Sequence, residues 1–139
     1  MRLFSAIPFT LFSLLIYNGF AFTAGAENPL FWSQPVISIA MVSGATFELL
    51  ASDILITLGL FFLFIEILKA TRIGTTALLD HMFSVVVFVA YLVEFLVLQE
   101  AATSLFFILM AISLIDVIAG FSISITGARR DVSFGHEGH

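Results

Sequence analysis

Four stretches of this chain of 139 residues are apolar enough to suggest membrane spans, at about residues 3–23, 53–72, 76–98 and 102–126. A helix needs roughly 20 mostly apolar residues to cross a hydrocarbon core of ~30 Å. Because lipid offers no hydrogen-bond partners to the backbone, each stretch is predicted to be an α-helix. The sequence therefore predicts an all-α membrane protein, a single four-transmembrane-helix bundle over residues 1–139.

Composition excludes the soluble and disordered classes. Apolar residues make up 60% of the chain and charged residues 11%, against about 45–50% and about 25% in soluble domains. A soluble domain of this size leaves too much of its surface in water to hide such a composition. The net charge of −5 with five scattered bases argues against nucleic-acid binding, which requires neutralised phosphates. The absence of cysteine excludes disulfides and thiolate metal sites.

The first stretch has some features of a secretory signal peptide. Arg2 precedes a long apolar run, and Ala24-Gly25-Ala26 imitates a cleavage site. A signal peptide has an apolar region of about 7–15 residues, and this run is longer. We therefore predict a retained helix, with Pro8 near its start, where the missing N–H costs least.

Residues 36–50 have the pattern of a β-hairpin between the first two helices. Two short runs rich in apolar and β-branched residues, 36–42 and 45–50, are separated by Ser43-Gly44. The alternative extends the second helix back to residue 36. That helix would reach about 55 Å, which overshoots the membrane, so the hairpin is preferred.

Charge placement predicts the orientation. If all four stretches cross the membrane, the five bases fall on one side, namely Arg2, Lys69, Arg72, Arg129 and Arg130. The positive-inside rule makes that side cytoplasmic. Both termini, including a tail at 127–139, are then cytoplasmic, and the hairpin is periplasmic or extracellular. We expect a multi-pass protein of a bacterial-type inner membrane.

Each stretch also has one helix face that is poorly suited to contact with lipid. Small and polar residues recur there at helical spacing, and the predicted helix-packing face contains Gly59, Ser84, Tyr91, Ser113, Gly120 and Ser124. Small residues let helices approach closely in a membrane. These faces are therefore predicted to point inward.

Charged residues within spans are costly, so they are the main candidates for a functional site. One group lies toward the cytoplasmic end and consists of Glu66, Lys69, Arg72, Asp80, His81 and Asp116. It is either a buried network that fixes which helices touch or a proton or cation path with Asp116 and Glu66 as relay carboxylates. Toward the outer end, Asp53 and Glu94 either bind a cation or serve as a helix-start acid and a headgroup-facing side chain. His81 is the one histidine in a predicted span, and His136 and His139 lie in the tail. We expect none of them to form a metal or cofactor site.

Catalytic motifs are missing from the sequence. It has no Gly-rich phosphate loop, no zincin motif and no nucleophile elbow, so no enzymatic activity is predicted. The leading hypothesis is an accessory, scaffold or assembly subunit in the lipid bilayer, with other membrane subunits or copies of itself as partners. The alternatives are a proton or cation conduit using intramembrane carboxylates, and a lipid- or quinone-binding module.

Overall fold

The computed structural model describes residues 6–72 and 75–137. This part of the chain is mostly helical, with four main helices: α1 (Thr10–Ala21), α2 (Ala51–Ala70), α3 (Thr75–Val97) and α4 (Ser104–Glu137). Shorter elements connect them: a helical turn at Ala24–Glu27, 3-10 turns at Phe31–Ser33 and Gln99–Ala101, and strands β1 (Pro35–Ala40) and β2 (Thr46–Leu50). Three segments, Ala51–Ala70, Ala77–Val97 and Ser104–Thr126, are long and apolar enough to cross a membrane.

Helix α1 differs from the predicted first span. It begins at Thr10 and holds 12 residues, which is about 18 Å of helix against a core of ~30 Å. Residues 6–9 form turns rather than regular helix. The proline at position 8 favours this break, because a proline disfavours the helical conformation of the residue before it. Arg2 and the predicted start at residue 3 lie outside the described residues.

Helix α4 continues past its predicted end at residue 126. It holds 34 residues, or about 51 Å, while its apolar portion ends at Thr126. The segment predicted as a tail is thus helical as far as Glu137. Ala128, Arg129 and Arg130 favour this continuation, because alanine and arginine have high helix propensity.

The predicted antiparallel pairing of two strands is confirmed. Strands β1 and β2 pair antiparallel, and Gly44 lies in the turn with φ of 89°, a conformation that favours glycine. Strand β2 passes directly into α2. The backbone N–H of Leu50 donates to the Asp53 carboxylate at 3.1 Å, which satisfies a donor at the helix start. The alternative of one helix from residue 36 is therefore wrong.

Helix α4 is the centre of the packing. Helices α2 and α3 pack mainly against α4 and make few contacts with each other, while α1 contacts all three. The buried core between them includes Leu14, Tyr17, Tyr91 and Phe106. Polar side chains buried next to this core form the candidate site.

Candidate functional site: a buried ion network

Lys69 is the centre of the buried charges. Its Nζ donates to Glu66 Oε1 at 3.0 Å, to Asp80 Oδ1 at 2.9 Å and to the Ile7 carbonyl at 2.8 Å. An ammonium group has three protons to donate, so this set uses all of them. Lys69 is 7% exposed, and Glu66 and Asp80 are 2% exposed. The ammonium is thus both removed from solvent and fully hydrogen-bonded.

The local sequence places these groups together. Glu66 and Lys69 are three residues apart on α2, a spacing that puts their side chains on one helix face. Lys69 lies in the last turn of α2, where the helix dipole favours a positive charge. Asp80 lies near the start of α3, after the short connection from α2. The pair within α2 is therefore local, and Asp80 is brought to it by the chain reversal.

The non-helical segment before α1 completes the network. Glu66 Oε1 accepts a hydrogen bond from the Phe9 backbone N–H at 2.7 Å, while Lys69 holds the Ile7 carbonyl. The Phe9 ring centroid is 5.1 Å from Lys69 Nζ, within reach of a cation–π interaction. Irregular backbone needs hydrogen-bond partners for those N–H and C=O groups that are removed from water. The charged pair on α2 supplies those partners.

Asp116 connects α4 to α1. It is 3% exposed, and the Thr10 hydroxyl donates to its Oδ2 at 3.5 Å, a long hydrogen bond. The ion pairs among the described side chains are those of Lys69 with Glu66 and Asp80, so Asp116 belongs to none of them. Asp116 therefore lies beside the N-terminus of α1, where backbone N–H groups favour a negative charge.

Arg72 and His81 are outside this network. Arg72 is exposed. His81 is 5% exposed, and its Nε2 lies 2.6 Å from the Ser124 hydroxyl. A Cβ on Gly120 would approach His81 Nδ1 to 2.8 Å, so glycine is what lets the ring lie against α4. The structure thus joins Glu66, Lys69 and Asp80, and gives His81 a separate contact between α3 and α4.

The predicted helix-packing face lies in the interior. Gly59, Ser84, Tyr91, Ser113 and Gly120 are buried. Tyr91 O–H donates to the Thr10 carbonyl at 3.0 Å, and Ser84 O–H donates to the Asp80 carbonyl at 3.0 Å. The Ser113 hydroxyl is buried without a hydrogen-bond partner among the described residues. Most of this face therefore serves contacts within the chain.

The two acids proposed as a second site, Asp53 and Glu94, have separate partners. Asp53 caps the start of α2, as described above. Glu94 Oε1 accepts from Asn18 Nδ2 at 3.0 Å, which ties α3 to α1. Nearby, Tyr17 O–H donates to the Glu100 carbonyl and its ring stacks on Trp32 at 5.2 Å.

In residues 6–72 and 75–137, no group of three or more His, Cys, Asp or Glu residues could hold a metal ion.

Two clefts lie away from the ion network. One, of about 490 Å³ beside the 3-10 turn at Gln99–Ala101, is lined by residues including Trp32, Glu100 and Thr103. The other is an apolar groove of about 330 Å³ between α1 and α2. Neither cleft has a residue of the ion network in its lining.

Sequence reasoning found the side chains of the network but missed Ile7 and Phe9, which take part through backbone atoms. Pro8 was the available signal, because it marks where regular helix can stop. Chemically, the arrangement can hold three chain segments together, namely α2, α3 and the segment before α1. Comparison of the chain with protein-family models, with curated proteins and with solved structures finds no match.

Proposed function

We propose that this protein is a non-catalytic membrane scaffold, an accessory or assembly subunit that joins a larger membrane complex. The observation that carries the proposal is the saturation of Lys69 by acceptors from α2, α3 and the segment before α1. A buried ion pair is a poor source of net stability, but it penalises arrangements that break it. The network therefore suits a protein whose role is to keep one arrangement of helices.

In this proposal the chain crosses the membrane four times, and α1 belongs to the first crossing. The excess of bases at one end supports cytoplasmic termini and a bacterial-type inner membrane. Because the chain has no cysteine, a single Ser43→Cys substitution in the hairpin turn tests the topology. The cysteine should react with a membrane-impermeant thiol reagent added on the periplasmic or extracellular side. Reaction with reagent on the cytoplasmic side would show that the orientation is the opposite of the proposed one.

Purification in mild detergent tests the scaffold role. We expect tagged wild-type protein to retain a stoichiometric membrane partner, and Lys69→Met to lose it because the helices no longer hold their arrangement. Arg72→Met is the matched control, since Arg72 is also basic but exposed. Recovery of the wild-type chain alone, as a monomer or homo-oligomer, would contradict the proposal.

A second candidate, a proton or cation conduit, is favoured by the charge balance of the interior. Three buried carboxyl groups, Glu66, Asp80 and Asp116, accompany the one ammonium group of Lys69. If all three were ionised, the excess negative charge would be costly inside a membrane, and a bound proton or cation would relieve it. This candidate predicts flux across liposomes that Asp116→Asn abolishes and that Asp53→Asn leaves intact.

A further inference from the structure

The hairpin has one apolar face and one polar face. Its register pairs Ile37 with Leu49 and Ile39 with Phe47, while the alternating pairs are Ser38 with Glu48 and Ala40 with Thr46. Residues directly opposite each other share a face, and successive residues along a strand alternate between faces. One face is therefore built from Ile37, Ile39, Phe47 and Leu49, and the strands' one charged residue, Glu48, is on the other.

The rest of the described chain leaves most of this apolar face exposed, with only Leu49 partly buried. Ile37, Ile39 and Phe47 are 43%, 50% and 46% exposed. A two-stranded hairpin is marginally stable at best in water. Burial of apolar surface away from water is favourable, so an apolar face left in water forgoes that stabilisation. The apolar face therefore calls for an environment other than bulk water.

The root of the hairpin lies where α2 begins. Strand β2 ends at Leu50 and α2 starts at Ala51, and the Ala51 N–H donates to the Gln34 carbonyl at 3.1 Å. Both strands are thus tied to the helix start. Helix α2 has 20 residues, or about 30 Å, which matches the hydrocarbon core. A hairpin joined without a linker to such a helix starts at the membrane surface.

The surroundings of the root are also those of a membrane interface. Trp32, of a residue type enriched at membrane–water interfaces, lies there partly exposed and stacks on the buried Tyr17. The apolar groove between α1 and α2 includes Val36 of β1 in its lining, together with Phe20 and Ile54. Apolar surface is thus continuous from the side of the bundle onto the base of the hairpin.

From this continuity we propose that the apolar face of the hairpin, Ile37, Ile39, Phe47 and Leu49, rests in the outer leaflet, at the boundary between headgroups and acyl chains. The partner of this surface is lipid. The sheet lies along the membrane with Glu48 directed toward water, as an amphipathic element does at an interface. With one acidic residue and no base in its strands, it is held by apolar burial rather than by anionic lipid. This inference holds for a scaffold and for a conduit alike, and its assignment to the outer leaflet rests on the orientation proposed above.

Spin labelling of the cysteine-free chain tests it. Single Ile39→Cys and Ser38→Cys variants, adjacent in β1 but on opposite faces, are labelled and reconstituted in phosphatidylcholine vesicles. Collision rates are then measured with oxygen, which concentrates in lipid, and with a water-soluble nickel chelate. We expect oxygen to dominate at position 39 and the nickel chelate at position 38. Phe47→Cys and Thr46→Cys should repeat the contrast on β2.

Three outcomes would overturn the proposal. Equal access of the nickel chelate to both faces would show that the hairpin stands in water. Exclusion of both reagents from position 39 would show that protein covers the face. Spin–spin broadening at position 39 that disappears when labelled chain is diluted with unlabelled chain would identify the cover as a second copy.

Discussion

Replacing Lys69 by methionine removes the positive charge from the buried network while keeping a side chain of similar length. Glu66 and Asp80, each 2% exposed, then lose their counter-charge, and the Ile7 carbonyl loses its donor. Removing one partner of a buried ion pair costs about 3–5 kcal/mol. We therefore expect Lys69→Met to lower the free energy of unfolding by about that amount, a large part of the ~5–15 kcal/mol of a typical protein.

Reversible unfolding in mixed micelles measures this change, with Arg72→Met as the control. Arg72 is exposed, and substitutions at such positions usually change stability by less than about 0.5 kcal/mol. Adding Asp80→Asn to Lys69→Met should recover part of the loss, because one unpaired carboxylate is gone. A loss no larger than that of Arg72→Met would refute the reasoning.

Three further substitutions test individual contacts. Gly120→Ala should cost about 1–3 kcal/mol, because the new Cβ would come within 2.8 Å of His81 Nδ1. Gly19→Ala is the sterically open control in the same unfolding assay: it has nothing within 4 Å and should lose no stability, because alanine favours a helix more than glycine does. Gly44→Ala should cost about 1–2 kcal/mol because φ is 89° there, and faster amide hydrogen exchange in the hairpin would report it. Tyr17→Phe removes the hydroxyl that donates to the Glu100 carbonyl and should cost about 1 kcal/mol; unchanged stability would show that this bond contributes nothing.

The hairpin and helices α2 and α3 were predictable because each is determined by residues close together in the chain. Residues 36–50 carry β-branched residues around a Ser-Gly turn, and the strands form there. The apolar lengths of the second and third stretches gave α2 and α3 close to their observed ends. The first helix was predicted too long, because its apolar run continues through Pro8 and hydropathy does not register a break in backbone conformation.

The candidate site likewise combines contacts that the sequence predicts with contacts that it does not. The spacing of Glu66 and Lys69 follows from helical periodicity, so their pairing was predictable from α2 alone. The contributions of Phe9 N–H and the Ile7 carbonyl come from backbone atoms about 60 residues away. Every residue has such groups, so no side-chain pattern identifies them. They became available because Pro8 prevents the helix from using them.

Flux through liposomes containing the purified protein tests the central claim most directly, namely that the polar interior holds the helices together rather than conducting. Vesicles loaded with a pH-sensitive dye are given a proton gradient, and an equivalent set is given a sodium gradient. Wild-type protein and Asp116→Asn should both match protein-free vesicles. A wild-type flux that Asp116→Asn abolishes and Asp53→Asn preserves would contradict the scaffold proposal and establish the conduit.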